Sequence, residues 1–184
     1  GIPLWPNEKS FTANQLIQYV TIIKKTINKA KVEEARIEPG RFLIGDAGIL
    51  LTKIIHLSKN EKPINVAIID AGFNIFARPF IYGAYHKIIA CSKANKAPAK
   101  KYMIAGNLCE GGDVFNISKK ELRPMPFLEE NDILAILNAG AYGYVMSSQF
   151  NLRPRPAEIG IIDGKAKLIR KRENYQDLIK NQID

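Results

Sequence analysis

Cys109-Glu110-Gly111-Gly112-Asp113 sets a thiol beside a carboxylate, followed by two glycines that let a ligand come close to the backbone. A thiol with an acid next to it can transfer protons. The plainer reading of these five residues is a turn holding a buried cysteine, and taken alone it is the stronger one. Arg78 and Tyr82 lie four apart in Arg78-Pro79-Phe80-Ile81-Tyr82-Gly83-Ala84-Tyr85-His86. On a helical turn they share a face, and a guanidinium with a phenol makes a carboxylate clamp. A surface arginine laid over a core tyrosine is an equal reading. Glu38-Pro39-Gly40-Arg41 offers a guanidinium fork suited to phosphate, although four residues alone favour a surface turn with an ion pair. Gly140-Ala141-Tyr142-Gly143 surrounds a tyrosine with small residues, as backbone packed against something flat would. Alone, it too reads first as a packed turn with a core tyrosine. Arg153-Pro154-Arg155-Pro156 reads as a rigid loop entering a strand before it reads as a phosphate site. His86 reads as a structural hydrogen-bonding residue, and His56 as a strand residue with no role. Two histidines and two cysteines at these separations give no zinc spacing, so no metal is expected. No glycine-rich nucleotide loop of the P-loop or Rossmann type is present.

The elements that must position these groups fall into two textures. Residues 1–10 read as a loop with two prolines. Thr12 or Asn14 can cap a helix running to about Lys31, with Ile17, Val20, Ile23 and Ile27 near helical spacing. Residues 34–37 read as a short strand ending at Glu38-Pro39-Gly40-Arg41. Helix, loop, strand and turn make one unit of an α/β fold, and in a (β/α)8 barrel the carboxyl end of a strand is the catalytic face. From Phe42 onward, residues 48–57, 64–70, 86–92, 101–107, 132–138, 156–162 and 165–170 read as strands rich in Ile, Leu and Val. Lys62-Pro63 and Ala97-Pro98 mark turns, and Asp163-Gly164 marks a two-residue hairpin with both positions at positive φ. Strands at this spacing predict an all-β barrel or sandwich, with short helices near 76–83 and 142–149 and a final one from about Asn174 to Lys180. The chain therefore divides at residue 42, into 1–42 and 43–184.

Length and composition bound the rest. With 184 residues, 46% apolar and 24% charged, the chain is ordinary globular material and not a disordered one. The net charge of +9 comes from 27 Lys and Arg against 18 Asp and Glu. The basic residues are scattered, and no arginine-rich run interleaves with aromatics as a base-stacking platform would need, so no nucleic-acid partner is expected. Residues 133–152 carry no charge but are broken by Asn138, Gly140, Gly143, Ser147, Ser148 and Gln149, which argues against a membrane span. Cys91 and Cys109 do not make a disulfide framework and suit a reducing, cytoplasmic setting. The chain begins Gly-Ile-Pro-Leu-Trp, and the expectation is that something upstream has been removed.

Taken in order, Gly1-Ile2-Pro3, residues 38–41, Asp70-Ala71-Gly72-Phe73-Asn74, and residues 78–86, 109–113, 140–143, 153–158 and 172–175 resemble the diaminopimelate decarboxylases. These belong to the alanine racemase-like class of pyridoxal 5′-phosphate enzymes. The resemblance runs nearly end to end. It implies a mainly β chain: a C-terminal β-barrel or sandwich-like domain over 43–184, preceded over 1–42 by the last helix-strand unit of a cofactor-binding (β/α)8 barrel. It also implies conversion of meso-2,6-diaminopimelate to L-lysine and CO2 in a homodimer with shared active sites. Glu38, Pro39, Gly40 and Arg41 then resemble the turn at the cofactor phosphate, with Arg41 also near the substrate. Arg78 and Tyr82 resemble the grip on the distal carboxylate. Cys109 resembles a proton donor reaching across the dimer interface, and Glu110 the residue reading the distal amino group. Tyr142 resembles the tyrosine beside cofactor and substrate. The barrel lysine that binds the cofactor is not among the matched segments, so the chain alone is expected to be inactive. Phe73 and Ile75 stand where the family often has Met and Asp, and Gly111 where Ser is common. These departures bear on substrate choice, and a related decarboxylase of another or a carrier-bound amino acid is the alternative. A non-enzymatic β domain for binding or assembly is the third reading.

Overall fold

The computed structural model describes residues 9, 11–58, 64–116 and 122–183. Helix α1 (Ala13–Ala30) starts where a capping box can form. Thr12 Oγ1 accepts from Gln15 N at 3.3 Å, and Gln15 Oε1 accepts from Thr12 N at 2.9 Å. No residue of α1 is buried. Residues 34–37 are not the strand that their composition suggests. They run as exposed coil, because no other described strand lies alongside to complete a ladder, and Arg36 pairs locally with Glu34 at 2.9 Å. A short helix, α2 (Gly40–Ile44), follows at once and continues into a 3-10 turn over Gly45–Ala47.

The β domain is one sheet of six strands and a separate hairpin among the described residues. In chain order the strands are β1 (Leu50–Ser58), β2 (Asn65–Ile69), β3 (Ile88–Ala90), β4 (Lys100–Ala105), β5 (Arg123–Met125), β6 (Ile133–Ile136), β7 (Glu158–Ile162) and β8 (Lys165–Arg170). The sheet order is β3-β6-β1-β2-β4-β5, antiparallel except for the parallel pair β2 and β4. Its two edges approach each other. Arg123 on β5 donates to His86 O at 2.8 Å and lies 4.9 Å over the Tyr85 ring, just ahead of β3, so the sheet curls into a barrel-like form. Ile54, Ile69, Ile104, Leu134 and Ile136 alternate inward with Phe76 and Phe115 to fill the interior. Each such aliphatic side chain contributes about 1.5–3 kcal/mol by leaving water.

All seven expected strands are present, β8 with its expected ends and the others trimmed or shifted, and β5 falls outside them. It is three residues long with Pro124 at its centre, which a sheet tolerates only at an edge. The helix expected at 142–149 is absent. Tyr142 has φ 62° in the left-handed region, which a right-handed helix excludes, and the segment is a series of turns. The one-turn helix α3 (Arg78–Tyr82) and the final helix α4 (Tyr175–Ile179), capped by Asn174, are present. Hairpin β7–β8 turns at Asp163 and Gly164, with φ of 51° and 72°. The Lys62-Pro63 turn and residues 1–8 and 10 lie outside the described residues. No described helix is long and apolar enough to cross a membrane.

Candidate functional site

Helix α3 spans a single turn, so Tyr82 returns over Arg78 as the spacing predicts. The Arg78 guanidinium lies 5.6 Å from the Tyr82 ring centre and 5.3 Å from that of Tyr142. Arg78 is 6% exposed, whereas Tyr82 is 59% and Tyr142 44% exposed. The tyrosines therefore form an open wall around a sunken cation. No carboxylate of the described chain pairs with Arg78. Its hydrogen-bond partner is His86 Nε2, 3.4 Å from Arg78 Nε. Burial, then the neighbouring charge of Arg41, lowers the Arg78 pKa from its ordinary value, while Tyr142 and Tyr82 act the other way. A buried guanidinium without an acid is costly, and its natural complement is an anion supplied from outside.

Arg41 and Tyr142 reach this point through a backbone contact between distant segments. Ala139 N donates to Gly48 O at 2.8 Å, and Gly140 N donates to Gly45 O at 3.0 Å. A Cβ on Gly48 would come within 2.6 Å of Gly140 Cα, and one on Gly140 would collide with the Ile44 carbonyl oxygen. The glycine pair thus seats the 140–143 turn on the end of α2, the helix that carries Arg41. The flat partner expected for the small residues around Tyr142 is this stretch of backbone. Glu38, Pro39 and Gly40 are exposed at the start of α2, and the space beside Gly40 is open.

Cys109 and Glu110 sit elsewhere on the surface, both exposed. Their loop is anchored by Asp113, whose carboxylate accepts from Phe73 N at 2.8 Å and from Leu108 N at 3.0 Å. Burial raises the Asp113 pKa, and these two backbone bonds oppose it. Glu110 Oε1 accepts from Gly112 N at 3.2 Å. The cysteine is not buried as the plainer reading of its turn supposed. The structure records no hydrogen bond, ion pair or ring contact between Cys109 or Glu110 and Arg78, Tyr82 or Tyr142. The link is mechanical. Phe80, between Arg78 and Tyr82 in sequence, stacks on Phe73 at 4.4 Å and would meet a Cβ on Gly112 at 2.6 Å. Phe73 also touches Phe150 at 4.9 Å. Helix α3 therefore presents Arg78 and Tyr82 to one group and Phe80 to the other.

Arg153, Arg155 and Arg170 are engaged within the chain. Arg155 forms a two-point pair with Glu173 at 2.8 and 2.5 Å, and Gln149 adds a bond to that carboxylate at 3.0 Å. This holds the Glu173 carboxyl down at about 2. Arg153 donates to Asn107 O at 3.1 Å, steadying the loop ahead of Cys109. Arg170 and Arg155 bracket the Tyr144 ring at 4.3 and 5.4 Å, tying hairpin β7–β8 to the turn that holds Tyr142. Among the described residues no group of His, Cys, Asp and Glu could hold a metal ion.

A family model described as the C-terminal sheet domain of pyridoxal-dependent decarboxylases matches residues 17–140. The diaminopimelate decarboxylase of Methanothermobacter thermautotrophicus is 38% identical over 185 residues, covering 99% of this chain and 42% of that protein. That of Aquifex aeolicus is 38% identical over 186 residues, covering 100% of this chain and 41% of that protein. The crystal structure of diaminopimelate decarboxylase from M. jannaschii in complex with L-lysine matches with a TM-score of 0.82 at 37% identity, over 100% of this chain and 41% of that one. The chain thus spans about two fifths of the length of the relatives it matches.

Proposed function

Since the chain belongs to the pyridoxal-dependent decarboxylases, matching the C-terminal sheet domain of that family, we propose that it is the C-terminal part of an enzyme converting meso-2,6-diaminopimelate to L-lysine and CO2. The observation that carries this reading is Arg78: a sunken guanidinium with no acid paired to it among the described residues, walled by Tyr82 and Tyr142. Diaminopimelate has an amino-acid group at each end. While one end reacts, the other offers a carboxylate, and Arg78 with the Tyr82 hydroxyl binds it.

The surroundings also fit a flat, anionic cofactor. Arg41 and Arg78 supply positive charge, Tyr142 supplies an exposed ring, and the backbone at Gly40 is open. Glu38, Pro39, Gly40 and Arg41 would lie along the phosphate of pyridoxal 5′-phosphate and Tyr142 against the same group, with Arg41 and Tyr142 also facing the substrate. When bound, the cofactor stores the electron pair released as CO2 departs. The remaining work falls to side chains. Cys109 Sγ gives a proton to the carbon that has lost its carboxyl group. The Glu110 carboxylate receives the distal ammonium. Both are exposed and stand apart from the Arg78 group, which suits a homodimer in which each subunit lends its Cys109 and Glu110 to the other's site. The two exposed, unpaired cysteines suit a reducing cytoplasm.

The test compares diaminopimelate with lysine presented for decarboxylation, which has a distal amine but no distal carboxylate. In the complete enzyme, Arg78→Ala lowers kcat/KM for diaminopimelate by roughly 10²–10³, about 3–4 kcal/mol. It costs far less for lysine, because the unpaired guanidinium that rejects lysine is gone. Equal losses on both would make Arg78 a support of the fold and remove the basis of the substrate assignment.

A further inference from the structure

We propose that His86 is the positioning residue of Arg78, holding its guanidinium in one orientation while leaving its charge for the ligand. The inference rests on the reading of Arg78 as the carboxylate-binding group. The His86 imidazole is buried at 4% exposure, and both ring nitrogens are engaged. Nδ1 lies 2.9 Å from Leu137 O. A carbonyl oxygen only accepts, so Nδ1 carries the hydrogen, and Nε2 is left with a lone pair. That lone pair faces Arg78 Nε at 3.4 Å, and Arg78 Nε only donates. The opposite tautomer would set N–H against N–H at Arg78 and a lone pair against the carbonyl at Leu137, so the two neighbours select one form between them.

The ring is also held in place. Phe76 packs edge-on against it at 4.6 Å, and Arg123 donates to the His86 carbonyl at 2.8 Å. Burial, followed by the charges of Arg78, Arg123 and Arg41, pushes the imidazole down to about 4 and keeps it neutral, against the opposing bond to Leu137. Neutrality is what the arrangement needs. A carboxylate here would orient Arg78 equally well but would cancel its charge and compete with a substrate carboxylate. A neutral imidazole takes one N–H and leaves the four on the terminal nitrogens.

Two substitutions separate the bonds. His86→Asn keeps a donor near the Nδ1 position for Leu137 and removes the acceptor for Arg78. His86→Gln returns an amide oxygen near the Nε2 position. In the complete decarboxylase, His86→Asn raises KM for diaminopimelate by about 10- to 100-fold with a much smaller change in kcat, and His86→Gln recovers most of the loss. A merely structural residue would lower the amount of folded enzyme, and so the apparent kcat, and would leave KM unchanged. The second readout is made on the complete enzyme labelled with 15N-histidine, where the ring signals lost in His86→Gln belong to His86. Those signals should show a protonated Nδ1 and an unprotonated Nε2 at neutral pH. An Nε2–H form for His86, or a folded His86→Asn enzyme with unchanged KM, overturns the inference. If Arg78→Ala also leaves KM unchanged, the assignment of Arg78 itself has failed; if only His86→Asn is silent, Arg78 keeps its role and His86 loses its own.

Discussion

At the scale of single residues, two groups tie stability to pH in the same direction. His86 has a folded pKa of about 4 against 6.5 when unfolded. Between those values the unfolded chain binds more protons, so stability is complete above 6.5 and is lost as pH falls toward 4. The loss is on the order of 3 kcal/mol, taking 1.36 kcal/mol per pKa unit. Glu173 is held near 2 against 4.5 by the Arg155 fork and Gln149, so its contribution is present above 4.5 and fades as pH falls toward 2. Asp113, raised by burial, acts with the opposite sign and gains as it protonates. Urea unfolding at a series of pH values should therefore show a decline that begins near 6.5, well above the carboxylate range. His86→Gln should remove that first part and leave the second. A wild-type curve that stays flat down to the carboxylate range would mean that His86 is not buried neutral.

At the scale of elements, the contact between Gly48 and Gly140 holds Arg41 and Tyr142 in one place. A Cβ at 140 has a backbone carbonyl in its way, which no rotamer change relieves. Gly140→Ala should cost about 1–3 kcal/mol in unfolding free energy. Gly111→Ser, where a Cβ meets nothing, should stay within about 0.5 kcal/mol. Comparable effects at both positions would show that the glycine contact is not tight. This contact also marks the limit of what the sequence reveals. Local patterns disclose local structure: Thr12, one of two candidate caps, starts α1, Asp163-Gly164 turns the hairpin, and the four-residue spacing of Arg78 and Tyr82 places them together. Pattern fails where the deciding partner is remote. Residues 34–37 have strand-like composition but no partner strand among the described residues, and Pro124 hides an edge strand whose position β4 defines. Tyr142 joins Arg78 through segments some ninety residues apart in sequence. Nothing in the residues around His86 names Arg78 and Leu137 as the partners of its two nitrogens. The grouping of 38–41, 78, 82 and 142 was readable only through resemblance to a family.

At the scale of the whole molecule, the described β domain closes its own core, while α1 and hairpin β7–β8 keep large apolar side chains such as Ile17, Ile22, Ile161 and Ile169 exposed. The chain's polar chemistry divides in the same uneven way, with Arg78 sunken on one side of α3 and Cys109 and Glu110 exposed on the other. Under the proposed exchange between subunits, this division has a genetic consequence. An allele with Cys109→Ala and an allele with Arg78→Ala each abolish growth alone. Expressed together, they form mixed dimers in which one of the two sites draws an intact Arg78 from one subunit and an intact Cys109 from the other. Random pairing makes half the dimers mixed, so about a quarter of wild-type activity returns. A lysine auxotroph carrying both alleles should grow; failure to grow, with mixed dimers shown to form, would put both residues in the same subunit's site. Helix α3 is the exception, because Phe80 braces the Cys109 loop from the turn that carries Arg78. An allele that dislodges Phe80 spoils both halves of what its subunit lends and keeps, and so should complement neither of the others.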